Sequence, residues 1–82
     1  MAGPPDVTPD EVLDCTGMAC PIPVVKTSQA IKKLAPGQVL ELLATDPGVE
    51  QDMKAWSRRT GNELVGISHD ADVFHVLIRR LW

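Results

Sequence analysis

The chain is 82 residues long and 44% hydrophobic, which suits one small domain with a single thin core and leaves no room for a second. Its formal net charge is −3, from eleven acidic against eight basic side chains, and its aromatics are two Trp and one Phe: too few cations and rings for a nucleic-acid groove. No stretch approaches the ~18 consecutive apolar residues of a membrane span.

The opening MAGPPDVTPD has three prolines and no apolar run, so residues 1–10 are expected to be a loose tail and not a secretory signal. Two cysteines without an export signal lead to the expectation of a reducing, cytoplasmic location. The domain itself is expected over 11–82. Residues 11–15, Glu-Val-Leu-Asp-Cys, read as a short strand ending before Gly17, a residue free to take positive φ in a turn. Cys20-Pro21-Ile22-Pro23 opens a helix, because proline is tolerated in the first turn. Val24, Thr27, Ile31 and Leu34 keep one side apolar until Pro36-Gly37, so the helix is predicted over 21–35.

Gln38 to Ala44 is almost continuously apolar, the pattern of a strand buried among neighbours. Asp46-Pro47 reads as the N-cap and first residue of a second helix, with Glu50 and Asp52 placed where the helix dipole favours negative charge. Val49, Met53 and Trp56 share a face, and Thr60-Gly61-Asn62 ends the helix after Arg58 and Arg59. From Glu63 the period is two: Val65 and Ile67 lie on one face of a third strand, and Phe74, Val76 and Ile78 on one face of a fourth. His69-Asp70-Ala71-Asp72 is the predicted hairpin turn. The order β-α-β-α-β-β predicts an α/β fold class, specifically an α+β two-layer sandwich. Its four-stranded mixed sheet has the first two strands parallel and both helices on one face, with Val73, His75 and Leu77 on the other.

Parallel strands end on the same edge, so both helices begin there, and Cys20 and Asp46 are expected together on it. With Cys20 as N-cap, Pro21 and Pro23 have no N–H to offer, and the Ile22 N–H is the main donor left for the sulfur. A helix N-terminus is worth about 0.3–1 kcal/mol to an exposed anion and up to about 2 in a sheltered one. Against about 1.4 kcal/mol per pKa unit, this predicts a Cys20 thiol lowered by something near one unit. Gly17 turns the chain towards it, and Met18, Ala19 and Ile22 form an apolar dock for a partner. Lys26 is a second docking candidate for an acidic partner, beside its plain reading as a solvated lysine. Asp14 and Asp46 flank the edge; Asp46 reads first as a helix cap, while a carboxylate at Asp14 opposes thiol ionisation.

Cys15 has two open readings: a small core side chain, or a second thiol able to resolve or bridge Cys20. Cys15, Cys20, His69 and His75 are residue types that zinc takes, but their spacing and placement predict no metal site, and no cofactor is implied. His75 is expected to be solvated on the open sheet face. Lys32, Lys33, Arg58 and Arg59 belong to helix ends on the opposite edge, where the dipole explains them. A domain this thin is not expected to hold a small-substrate pocket, so specificity falls to partner proteins.

The segment Leu13-Asp14-Cys15-Thr16-Gly17-Met18-Ala19-Cys20-Pro21-Ile22-Pro23 resembles the hallmark L-D-x-x-G-x-x-C-P-x-P of the TusA family, the SirA-like sulfur carriers, at every fixed position. The likeness runs on through Pro36-Gly37, Thr45-Asp46-Pro47-Gly48, Trp56 and Thr60-Gly61-Asn62-Glu63-Leu64, covering about residues 11–80. It implies a carrier of sulfurtransferase type, not a turnover enzyme, that accepts sulfane sulfur on Cys20 as a persulfide and passes it on in a sulfur relay. The implied donor is a cysteine desulfurase or rhodanese; the implied acceptor serves tRNA thiolation, molybdenum cofactor synthesis or dissimilatory sulfur metabolism. No nucleic acid and no membrane is implied as a direct partner. Two other functions fit the residues alone: a thiol redox module using a Cys15–Cys20 pair, and a non-catalytic regulatory interaction domain.

Overall fold

The computed structural model describes residues 9–81, so most of the expected tail, and Trp82, lie outside the described residues. The elements follow in the order β1 (Glu11–Cys15), α1 (Ile22–Ile31), β2 (Val39–Ala44), α2 (Val49–Thr60), β3 (Glu63–Asp70) and β4 (Val73–Arg79). They form a four-stranded mixed sheet of order β1-β2-β4-β3, in which β1 runs parallel to β2, and β4 runs antiparallel to β2 and β3. Asp10, assigned from sequence to the tail, is tied to the sheet instead: its N–H donates to the Val39 carbonyl and its carboxylate accepts from the Val39 N–H, both at 2.8 Å.

Strand alternation sends Cys15, Leu40, Leu42, Ala44, Val76 and Ile78 to one sheet face, where they pack with Ile31 of α1 and Val49, Met53 and Trp56 of α2. Both helices therefore cover that face, as the two-layer reading expects. At about 1.5–3 kcal/mol per large apolar side chain buried, this layer is the main source of stability. Thr27 is buried within it at no loss of hydrogen bonding, because its hydroxyl donates to the Pro23 carbonyl at 2.7 Å.

Three local features depart from the sequence reading. Helix α1 stops at Ile31 and not at residue 35, because the chain tightens there: the Lys33 and Leu34 N–H groups reach back three residues to Ala30 and Ile31. The Arg80 guanidinium donates to the Lys32 and Leu34 carbonyls and takes over the helix end. In β3 a bulge sets Leu64 opposite Ile78 but Gly66 opposite Leu77, so Val65 is the extra residue; the core receives Leu64 and Ile67, and not Val65 with Ile67. The hairpin turn is only Ala71-Asp72, with Ala71 at φ 54, which leaves His69 and Asp70 in β3. His69 stacks on Phe74 with ring centroids 4.3 Å apart.

Val73, His75 and Leu77 alternate to the open face as expected, but they are not simply exposed. Leu77 is 4% exposed because β4 is an interior strand, with Glu41 and Gly66 in register on either side. His75 is half-buried, its Nδ1 lying 2.8 Å from Glu41 Oε2, where a solvated ring was expected.

Candidate functional site

Strands β1 and β2 finish side by side at Cys15 and Ala44, so the segments leaving them meet on one sheet edge and each feeds a helix. Between Cys15 and α1 the chain must turn sharply. Gly17 does this at φ 79, a region that costs L-residues with a Cβ about 1–2 kcal/mol. Its N–H donates to Thr45 Oγ1 at 2.8 Å, which ties the turn to the end of β2. Asp14 anchors the start of the turn by accepting from the Thr16 N–H at 3.0 Å and the Thr16 hydroxyl at 2.7 Å. Those bonds hold its carboxyl below the ordinary value, and the Asp14 carboxylate is occupied by the turn.

Cys20 is exposed at the far side of this turn. Its N–H donates to Asp46 Oδ2 at 2.6 Å, and its sulfur is hydrogen-bonded to the Asp52 carboxylate in the first part of α2. The other oxygen of Asp46 accepts from the Gly48 N–H at 3.0 Å, so one side chain joins the starts of both helices. Donation from Gly48 and then from Cys20 holds the Asp46 carboxyl below its ordinary value. Asp46 thus caps from outside the helix, with the Val49 N–H on its carbonyl at 3.0 Å, while Gly48 takes the N-cap position expected for Asp46.

The electrostatics of the thiol reverse the sequence expectation. Helix α1 begins at Ile22 with Pro21 as N-cap, and the Ile22 N–H donates to the Ala19 carbonyl at 3.0 Å, not to sulfur. The sulfur therefore gains no helix donor. The Asp52 hydrogen bond, then partial desolvation, then the charges of Asp52 and Asp46 push the Cys20 thiol up to about 11, not down by one unit. A carboxylate in contact outweighs a helix terminus worth about 1 kcal/mol at an exposed site.

Cys15 is fully buried in the core layer and, like Cys20, is a free thiol. Burial pushes it up, Lys26 pulls it down in part, and Asp14 adds to the rise. Of the expected dock, Met18 is half-buried against the core while Ala19 and Ile22 are exposed; Lys26 is exposed on α1. Pro21 is exposed at the helix cap, whereas Pro23 is buried. Sequence reasoning missed Asp52, whose charge the α2 dipole seemed to explain, and Val25, an exposed apolar side chain one turn beyond Ile22. The signal for Asp52 was present: if both helices start on one edge, an acidic residue in the opening of α2 stands beside the opening of α1.

Among the described residues no set of three or more His, Cys, Asp or Glu side chains is arranged to hold a metal ion. No described helix is long and apolar enough to cross a membrane. A groove of about 590 Å³ does exist between the helices, where no pocket was expected. It is lined by Ser28, Ile31, Lys32, Trp56 and Arg59 among others, and Cys20 is not part of it.

This arrangement can be set against known proteins. The family described as Sulfurtransferase TusA matches the chain over residues 11–80. A putative sulfur carrier protein of Bacillus subtilis, YrkI, is 41% identical over 71 residues, which span 87% of this chain and 95% of that one. The sulfur carrier protein TusA of Allochromatium vinosum is 38% identical over 71 residues, 87% of this chain and 93% of its own. A SirA-like protein from Desulfitobacterium hafniense has the same fold by crystal structure, with a TM-score of 0.77, 24% identity, and coverage of 88% of this chain and 99% of that one.

Proposed function

The chain belongs to the TusA family of sulfur carriers, and on that premise we propose that Cys20 is the residue on which it carries sulfur, as a persulfide. A carrier of this family acts in a sulfur relay and meets both a sulfur donor and a sulfur acceptor protein. The observation that supports Cys20 is its placement: an exposed thiol on the edge where both helices begin, while the other cysteine is sealed in the core. Burial of Cys15 counts against a reversible Cys15–Cys20 bridge as the working chemistry.

In loading, the Cys20 sulfur attacks the outer sulfur of a donor persulfide. A new S–S bond forms at Cys20, the donor's S–S bond breaks, and the donor cysteine leaves as a thiolate that takes up a proton. Discharge is the same exchange with the roles reversed. Asp14 and Gly17 shape the turn, Pro21 and Pro23 frame the helix start, and Asp46 holds the Cys20 backbone. Ala19, Ile22 and Val25 supply exposed apolar surface on which a partner can seat, with Lys26 beside them. A cysteine desulfurase or rhodanese is the proposed donor, and tRNA thiolation, molybdenum cofactor synthesis or dissimilatory sulfur metabolism the proposed destination. The two unpaired thiols favour a reducing compartment, the cytoplasm.

Intact-mass measurement after incubation with a persulfide donor tests the assignment. Wild type and Cys15→Ser each gain one sulfur atom and Cys20→Ser gains none; sulfur retained by Cys20→Ser removes Cys20 from the role.

A further inference from the structure

A carrier thiol flanked by two carboxylates is a chemical oddity, because negative charge beside sulfur disfavours the thiolate that must attack. Two segments place carboxylates at Cys20. Asp52 of α2 accepts the hydrogen bond from its sulfur, and Asp46 of the β2–α2 connection accepts from its N–H. The nearby charges on the other elements, Lys26 of α1 and Asp14 of β1, act on Cys15. Glu50 of α2 is engaged with Lys54 at 3.2 Å. Cys20 thus faces two negative groups with no cation among the charges acting on it to offset them.

Building on the carrier reading, we propose that Asp52 and Asp46 form an acidic latch on the Cys20 thiol in the free protein, and that the sulfur donor opens the latch by bringing a cationic side chain against these carboxylates. Free, the protein keeps its thiol protonated and slow towards stray electrophiles and oxidants. A lysine or arginine of the partner, paired with Asp52 or Asp46, cancels the charge that opposes ionisation. The proton released from Cys20 is matched by the one that the departing donor thiolate takes up. One S–S bond forms as another breaks, and no proton or electron is gained or lost overall. Reactivity is thereby confined to the docked complex, and the partner is recognised by positive charge rimming its persulfide site.

The pH profile of iodoacetamide alkylation, read by peptide mass at Cys20, tests the latch without any sulfur donor. Asp52→Asn is expected to react about tenfold faster than wild type at pH 8, its midpoint lying about one unit or more lower. Asp46→Asn, which loses the charge and keeps one of the two acceptor oxygens, shifts the same way by less; circular dichroism checks that both variants stay folded. A hexa-arginine peptide at low salt speeds alkylation of wild type but not of the Asp46→Asn/Asp52→Asn double variant. Coincident profiles for wild type and both single variants overturn the latch, and failure of the peptide to speed the wild type, or equal acceleration of wild type and double variant, overturns its opening by cations. Persulfide loading of wild type is read separately: its failure would remove the carrier reading while leaving the alkylation result standing.

Discussion

Cys20 and Asp52 together set a stability signature on the alkaline side. The thiol lies at about 11 in the folded chain against an ordinary value of 9.0, so the folded state holds this proton more tightly than the unfolded state does. Its contribution is complete below pH 9 and disappears as pH rises from 9 to 11. The chain has no tyrosine to titrate in that interval. Urea midpoints measured at pH 8, 9, 10 and 11 should fall more steeply for wild type than for Cys20→Ser, with Cys15 leaving a residual slope of the same sign in both. Parallel curves would mean that Asp52 does not hold the thiol. At this scale the sequence made Cys20 and Asp46 visible, since the Pro-framed helix start and the Asp-Pro pair each carry local signals. It concealed Asp52, because a contact between residues 32 positions apart is a property of the assembled edge and not of either helix alone.

The six elements and their types are legible in the sequence because each carries its own period and punctuation. Their ends are less so. Helix α1 is cut short by Arg80, which arrives from beyond the far end of β4, and the β3 bulge at Val65 depends on how the strand registers against Leu77 and Ile78. Local propensity sees neither. The close of α2 is different: Thr60-Gly61-Asn62 announces a left-handed cap, and Gly61 has φ 81 with its N–H on the Ser57 carbonyl at 2.9 Å. Gly61→Ala should lower stability by about 1 kcal/mol in chemical denaturation, with Gly61→Asn costing less, as positive φ requires. Equal stability of all three chains would contradict the cap. Helix α2 has a further tie to α1, the Trp56 Nε1–H donating to Ser28 Oγ at 2.7 Å, so a shift of α2 also moves the carboxylate that faces Cys20.

For the molecule as a whole, the two-layer plan follows from one rule: consecutive parallel strands joined by a helix place both helix starts on a common edge. The proposed sulfur chemistry at Cys20 belongs to that edge and not to a cleft, and the groove between the helices is lined by other residues. A carrier needs this openness, because its substrate is held by another protein and must be reached at the surface. What composition could not supply was the charge of the edge. A formal net charge of −3 is modest, yet two of the carboxylates responsible gather at one sulfur. The central claim, that sulfur rests on Cys20 in transferable form, is most directly tested by discharge: load the chain with one equivalent of ³⁵S-labelled persulfide sulfur, then add cyanide. The account predicts one equivalent of labelled thiocyanate and return of the chain to its unloaded mass with a free Cys20 thiol. Label that stays on the protein after cyanide would contradict it.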